Sequence, residues 1–159
     1  MIRVTMAFAL IAAMAAAPGP AAAQESEEAA VMAVVEAMFD AMRAGDSAAM
    51  RAVLHPGATG ASVSVREGAP TLTREESLDG FVQAVGTPHE EVWDERIWDA
   101  EVRVDGNLAT AWMKYAFYLG EQFSHCGVDA FQLFKGEGGW KVFHIADTRQ
   151  REGCQTPGG

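Results

Sequence analysis

The spacing of apolar residues predicts helices in the first part of the chain. Apolar side chains recur every three or four positions over residues 25–44, as on one face of an amphipathic helix, and Gly45 is placed to end that helix. A second, short helix is expected over residues 46–54, with an aspartate at its N-cap. The sequence TREE has the spacing of a capping box and predicts a third helix over residues 73–85.

The second half of the chain alternates with the period of β-strands. Residues 59–66 alternate weakly and predict a first strand. Beyond residue 90, four segments rich in Val, Ile, Phe, Tyr and Trp follow one another: 91–104, 107–119, 124–135 and 140–149. Because short loops containing Gly join these segments, successive strands must be antiparallel. Helices followed by a meander predict an α+β fold rather than a parallel α/β sheet.

The first 23 residues have the pattern of a secretory signal peptide. Arg3 gives a positive start, residues 7–17 are apolar, and a Pro-Gly-Pro turn precedes three alanines that suit cleavage. The apolar run is shorter than the roughly 20 residues that span a bilayer. A buried first helix is the alternative. We therefore expect an exported protein, periplasmic or secreted, in which residues 24–154 form one domain and residues 155–159 a disordered tail.

Charge and missing motifs exclude several classes of function. With 22 Asp and Glu against 12 Lys and Arg, the chain has a formal net charge of −10. Such a surface repels phosphate backbones and anionic lipids, so neither nucleic acid nor, after signal cleavage, a membrane is expected as a partner. The sequence has no phosphate-binding glycine loop, G-x-S-x-G elbow or H-E-x-x-H motif. No cofactor and no metal site are predicted.

Three segments resemble a known superfamily. They are MRAGDSAAMRAVLHPGA (42–58), VRVDGNLATAWMKYAFYLGEQFSHCGVDAFQLF (102–134) and GWKVFHIADTRQREGC (139–154). They are similar to the nuclear transport factor 2-like superfamily, and more narrowly to its exported branch labelled "putative lumazine-binding". The resemblance implies a cystatin-like roll, a cone in which a curved antiparallel sheet wraps around three N-terminal helices and leaves a pocket. Relatives include isomerases, dehydratases and proteins without known catalysis, so the fold implies no single reaction.

The last predicted hairpin offers one pair of candidate catalytic residues. If its loop has an even length, Lys135 faces Trp140, and His144 becomes the diagonal neighbour of Asp129 on the adjacent strand. An Asp–His pair in apolar surroundings could transfer a proton near neutral pH. The alternative is a polar pair that only links two strands. His125 could extend the pair as a ligand-binding residue or be solvated beside a turn.

The opposite face of that hairpin offers a second candidate. Asp147 and Arg149 lie on one side of the strand, and a carboxylate directed into an apolar cone could be a general base, as in isomerase-like relatives. Tyr115 would then stabilise the developing oxyanion. Alternatively, Arg149 pairs with Asp147, lowers its pKa and makes it a poorer base. A bulge would shift the register and recombine the two faces, so the sequence leaves open which face lines the pocket.

Aromatic residues on the strands are expected to line the core and the cone. Trp112, Tyr115 and Phe117 are the candidate ligand-binding residues of this kind, together with His125 and Arg149. Aromatic side chains favour strands for packing reasons alone, so a structural role is the alternative.

The two cysteines predict one disulfide, Cys126–Cys154, as is usual in exported chains. In the even-loop register Cys126 faces Arg149, so Cys154 lies five residues beyond its partner position. The chain must therefore turn back to bring the two sulfur atoms together, and Gly153 could allow this turn. Two buried free thiols, or a redox-active Cys126, are the alternatives.

Three functions remain open from the sequence. The leading hypothesis is an exported protein that binds a small, largely apolar molecule in the cone, with a possible homodimer through the sheet. The second is a cofactor-free isomerase or dehydratase with acid–base chemistry like that of ketosteroid isomerase. The third is a structural or protein-interaction module.

Overall fold

A computed structural model describes residues 19–155. Most of the predicted signal peptide, residues 1–18, lies outside these residues, as do residues 156–159 of the predicted tail. Both assignments stay predictions. Among the described residues, no helix is both long enough and apolar enough to cross a membrane.

The first two helices confirm the sequence prediction. Helix α1 (Pro20–Ala44) ends at Gly45, whose φ of 66° is left-handed and therefore favours glycine. Helix α2 (Ser47–Val53) follows at once, and the Asp46 side chain caps it by accepting hydrogen bonds from the backbone N–H groups of Ala48 and Ala49, both at 2.9 Å. The short α1–α2 connection brings both helices against the same face of the sheet.

The predicted start of the third helix is wrong. Helix α3 runs from Asp79 to Val85, and Thr73 lies instead in strand β2 (Ala69–Glu75). Strand β2 forms a hairpin with β1 (Leu54–Arg66) through a turn at 67–68, where both residues have positive φ. The capping-box spacing was overridden because the β-branched threonines around position 72 pair across to β1, which is a tertiary gain that local spacing does not show.

Four long strands complete the sheet and confirm the predicted meander. They are β3 (Trp93–Asp105), β4 (Leu108–Leu119), β5 (Gln122–Gly136) and β6 (Gly139–Arg149). Each pairs with the next in antiparallel fashion, and the sheet has the order β2-β1-β6-β5-β4-β3. The fold is α+β, as predicted, with a curved, unclosed sheet.

One pairing corrects the expectation of a wholly antiparallel sheet. Strands β1 and β6 are parallel, with Thr59 opposite His144 and Ser62 opposite Asp147. Parallel neighbours need a long crossover connection, and here everything between β1 and β6 forms it. The sheet is therefore mixed, and the last strand lies inside it rather than at an edge.

Alternation along β4 shows which face of the sheet the helices cover. Ala109, Ala111, Met113 and Tyr115 are buried, whereas Trp112 between them is 53% exposed. Further buried core side chains come from the helices and the neighbouring strands and include Val31, Val35, Phe39, Met50, Val82, Phe131, Leu133 and Val142. The core thus lies between the helices and the inner face of the sheet.

The register between β5 and β6 changes once along the hairpin. Near the turn it is the predicted one, with Lys135 opposite Trp140. After Leu133 it shifts by one residue, so that Gln132 faces His144 and Asp129 faces Asp147. The shift is a β-bulge, in which one strand uses an extra residue. Beyond the bulge, the residues of β6 face the side opposite to the one that an unbroken even-loop register predicts.

The predicted disulfide is confirmed. Cys126 and Cys154 are bonded, and their Cα atoms are 5.8 Å apart. After the bulge Cys126 pairs with Gln150 instead of Arg149. The chain then turns back at Gly153, whose φ is 69°. The disulfide fixes the end of β6 to the start of β5.

Candidate functional site

A cavity of about 510 Å³ lies between the inner face of the sheet and the helices. Its apolar lining comes from helix α1, the segment around helix α3 and the strands: Met38, Phe39, Met42, Leu78, Phe81, Trp93, Phe117, Leu119, Phe131 and Ile145. Its polar lining from β3 to β6 consists of Glu95, Tyr115, His125, Asp129, Asp147 and Arg149, called here the polar cluster. The cavity combines a mostly apolar wall with one concentrated group of ionisable side chains.

Strand alternation assembles the polar cluster. Four adjacent strands contribute its inward side chains: Glu95 from β3, Tyr115 from β4, His125 and Asp129 from β5, and Asp147 and Arg149 from β6. Asp129 and Asp147 are direct cross-strand partners. Tyr115 lies opposite Gly127. Pairing of β5 with β6 thus places Asp129 beside Asp147, whereas Glu95 reaches Asp129 across the intervening strand β4.

The first feature of the cluster is a carboxyl pair, Glu95 and Asp129. Asp129 is only 4% exposed, and its Oδ2 atom has no hydrogen-bond donor among the described residues. Glu95 is partly accessible from the cavity, although the surrounding protein desolvates its carboxyl group. The two carboxyl groups lie within hydrogen-bonding reach of each other. Such a contact is favourable only when one of them carries a proton.

The raised pKa values of Asp129 and Glu95 also indicate that this pair holds a proton near neutral pH. Burial raises the pKa of Asp129 well above its usual range, and the charge of Glu95 raises it further. Burial also raises the pKa of Glu95 to about 7. Because the two groups interact strongly, they titrate as one unit that keeps a shared proton.

The second feature is an acceptor with two donors. The Tyr115 hydroxyl donates to Asp147 Oδ2 at 3.2 Å and to the backbone oxygen of Thr148 at 2.9 Å. Arg149 Nε donates to the same Asp147 oxygen at 3.4 Å. Burial, followed by the charge of Asp147, raises the pKa of Tyr115, so the phenol stays neutral. Asp147 thus accepts hydrogen bonds from both Tyr115 and Arg149, and the Asp147–Arg149 pairing that was the alternative in the sequence analysis is present.

The third feature is a neutral histidine in an aromatic setting. Burial, followed by the charge of Arg149, lowers the pKa of His125 to about 4, so its ring is uncharged at neutral pH. The ring contacts Phe117 with centroids 4.9 Å apart and Tyr115 at 5.8 Å. His125 therefore adds a polar but uncharged edge to the aromatic wall.

Most of the sequence-predicted site residues lie in the cavity lining. Asp129, Asp147, Tyr115, Phe117, His125 and Arg149 line it, and the structure brings them together. His144 does not line the cavity, and its Nδ1 hydrogen-bonds Thr59 Oγ1 at 2.8 Å. Trp112 lies on the exposed face of β4.

The expected pairing of Asp129 with His144 is corrected by the β-bulge. Asp129 faces Asp147, and His144 lies opposite Gln132. One extra residue on β6 exchanges the side chains that face the helices, because strand side chains alternate with a period of two.

The sequence analysis missed Glu95. A usable signal was present in the segment WDERI, where Glu95 shares one strand face with Trp93 and Ile97, both partly buried against the core. A charged residue between two inward apolar positions is a reason to look for a buried carboxyl group. Among residues 19–155, no group of three His, Cys, Asp or Glu side chains is arranged to hold a metal ion.

The carboxyl pair predicts a fall in stability as pH rises. Between about pH 6.5 and 8 an unfolded chain has ionised carboxylates, whereas the folded pair retains a proton. The folded state then binds more protons, so the free energy of unfolding should decrease by about 1–2 kcal/mol across this window. His125 acts with the opposite sign, but only between about pH 4 and 6.5, because its folded pKa is below its ordinary value.

Urea unfolding at the two pH values measures this effect. Asp129→Asn should flatten the dependence, since Glu95 then loses its acidic neighbour. Glu101→Gln, which changes an exposed carboxylate on the same strand as Glu95, should keep it. Equal slopes for Asp129→Asn and the wild type would show that the pair holds no extra proton.

Comparison with known proteins identifies the family of the chain that forms this cavity. A sequence profile described as "Putative lumazine-binding" matches residues 26–144, which is most of the chain. The chain belongs to this family. The match covers strands β1 to β5 in full and β6 up to His144. No curated protein matches the chain significantly.

Solved structures show the same fold at low sequence identity. A protein of unknown function from Mycobacterium tuberculosis is 15% identical, with a TM-score of 0.68 over 84% of this chain and 77% of that one. A nuclear transport factor 2-like protein with a cystatin-like fold from Novosphingobium aromaticivorans is 11% identical, with a TM-score of 0.64 over 82% and 85%. A protein named as a putative dehydratase of the nuclear transport factor 2-like family, from Streptomyces avermitilis, is 16% identical, with a TM-score of 0.60 over 80% and 98%. These likenesses confirm the superfamily fold and assign no activity.

Proposed function

We propose that this protein binds a small, largely apolar molecule in the cone cavity. The observation that carries the proposal is the combination of a 510 Å³ cavity, an apolar wall and one buried, unpaired acceptor, Asp129 Oδ2. Ligand sites are typically concave, mostly apolar and supplied with a few placed polar groups. The family description, which names lumazine, also supports a small molecule as the ligand.

A fluorescent probe tests the proposal. The neutral dye N-phenyl-1-naphthylamine gains fluorescence in apolar sites, and we expect it to bind the wild type with micromolar affinity. Ile145→Trp fills part of the cavity and should weaken binding by about tenfold, which corresponds to about 1.4 kcal/mol. Val65→Trp is the matched control, because Val65 is 69% exposed and does not line the cavity. Equal affinity for both variants and the wild type would refute binding in the cavity.

A second candidate is acid–base catalysis on an apolar carbonyl compound. The shared proton of Glu95 and Asp129, next to the neutral Tyr115 hydroxyl, favours it, because a carboxyl group that is neutral at pH 7 can donate to a developing oxyanion. Asp147 would be the base of such a reaction, because it lines the cavity beside Tyr115. This candidate alone requires turnover, such as exchange of ketone α-hydrogens for deuterium, detected by NMR and lost in Asp147→Asn.

Export is part of the proposal as well. A disulfide is stable in the periplasm or outside the cell and rare in the cytosol, so the Cys126–Cys154 bond supports an exported protein. The homodimer through the sheet stays a prediction.

A further inference from the structure

We infer that the ligand carries a protonated amine, which binds at Asp129 and Glu95 while its apolar body lies along the aromatic wall. This inference rests on the proposed function and names the chemical class of the ligand. It depends on an unpaired acceptor, on the balance of charges around it, and on the rings beside it.

The first observation is that the buried acceptor Asp129 Oδ2 lacks a hydrogen-bond donor among the described residues. Asp129 Oδ2 is buried at the cavity lining without a hydrogen-bond donor among the described residues. Leaving a buried acceptor unpaired costs free energy, and the cost is larger for a charged group. A ligand with N–H groups would remove this cost. A ligand with a carboxylate would add repulsion instead.

Among residues 19–155, no N–H or O–H group is hydrogen-bonded to Asp129 Oδ2. The Tyr115 hydroxyl is already directed at Asp147 and Thr148, and Arg149 is paired with Asp147. His125 is neutral. The Asp147–Arg149 pair is therefore complete, and the Glu95–Asp129 pair is left with two carboxyl groups and one proton between them.

The other residues of the cavity lining do not cancel the excess of acidic groups at the Glu95–Asp129 pair. Helix α1 contributes only Met38, Phe39 and Met42, which are uncharged. The β1–β2 hairpin contributes Arg66 and Glu75, which are both exposed and of opposite charge. The charged lining residues are therefore four acids and two arginines, and the excess of acids falls on the carboxyl pair.

Aromatic rings line the same cavity as the carboxyl pair and would attract a bound cation. Trp93 contacts Phe117 with ring centroids 6.3 Å apart, and Phe117 contacts His125, which contacts Tyr115. These rings share the cavity with the carboxyl pair. An ammonium group near aromatic faces is attracted by the ring quadrupole, and the flat surfaces suit an apolar body.

The inference predicts that the protein releases a proton when the amine binds. The free pair holds one proton, and an aliphatic amine reaches neutral solution already protonated. When the ammonium group binds, it takes the place of that proton, and both carboxyl groups become ionised. Binding should then release about one proton per ligand to the buffer.

Calorimetry with a matched pair of probes tests the inference. We expect 2-(1-naphthyl)ethylamine to bind at pH 7 at least about tenfold more tightly than 2-(1-naphthyl)ethanol, its neutral counterpart of similar size. Titrations in phosphate and in Tris buffer, which differ in ionisation enthalpy, should show the proton released for the amine and none for the alcohol.

Substitutions at the carboxyl pair test whether Asp129 and Glu95 cause the preference for the amine and the proton release. Asp129→Asn and Glu95→Gln should each reduce the preference for the amine over the alcohol to less than about threefold and abolish proton release. Glu101→Gln, on the same strand but exposed, should retain both properties. Urea unfolding of each variant shows that it is folded, and having two variants keeps the test valid if one is not.

The possible outcomes separate the two proposals. An alcohol that binds as tightly as the amine, or an amine that binds without proton release, overturns the inference and leaves cavity binding intact. Failure of both probes, while N-phenyl-1-naphthylamine still binds, also overturns the inference alone. Failure of all three compounds overturns the proposed function, and the inference with it.

Discussion

Gly127→Ala should lower the free energy of unfolding by about 3 kcal/mol or more, at the upper end of what overpacking usually costs. A Cβ atom at this position would lie 1.8 Å from the backbone oxygen of Thr148 and 2.7 Å from its carbonyl carbon. Both are backbone atoms, so no side-chain rotation relieves the clash, and β5 must move away from β6. The same Thr148 oxygen accepts the Tyr115 hydroxyl, so the wall of the polar cluster moves too.

Thermal and urea unfolding measure this effect, which corresponds to a fall of roughly 10 °C in Tm for a domain of this size. Gly138→Ala is the control, since its Cβ would meet no atom within 4 Å and its φ is not positive. We expect that variant to stay within about 0.5 kcal/mol of the wild type. If Gly127→Ala were as stable as Gly138→Ala, the close approach of β5 and β6 would be wrong.

Removal of the disulfide should have an effect of similar size. The double variant Cys126→Ala/Cys154→Ser should lose about 3–4 kcal/mol, because the bond closes a loop across 28 positions and restricts the unfolded chain. The bond also fixes the turn after β6, which follows Asp147 and Arg149 directly. Urea unfolding in the presence and absence of a reducing agent measures the loss.

The double variant supplies its own control. Dithiothreitol should destabilise the wild type toward the stability of the double variant and leave the double variant unchanged. If the reductant affected both proteins equally, or neither, the stabilisation would not come from the cross-link.

Much of the fold could be predicted because local and tertiary preferences agree. Gly45 and Asp46 end one helix and start the next, and the meander follows from alternation and short glycine loops. The prediction failed at Thr73, where a capping-box spacing coincided with a segment that gains more by pairing with β1. It also did not foresee the parallel β1–β6 pair, because nothing local in a strand identifies a distant neighbour.

The candidate site was predictable in its residue types and less so in its geometry. Asp147, Tyr115 and Arg149 could be grouped because alternation on single strands is visible in the sequence. The neighbour of Asp129 could not be predicted, since one bulged residue exchanges His144 for Asp147 across the hairpin. Glu95 was missed because a single acid in a strand is usually solvated, and only the folded sheet places it against Asp129.

The position of β6 has a consequence for how the chain matures. Residues 139–149 pair with β5 on one side and with β1 on the other, so without them the sheet divides into a β1–β2 hairpin and a β3–β5 meander. The sheet is completed only when β6, which is synthesised after β1 to β5, is inserted between β1 and β5. Such long-range closure is slow compared with local helix formation. A nascent chain therefore cannot complete this sheet before residues 139–149 have been synthesised.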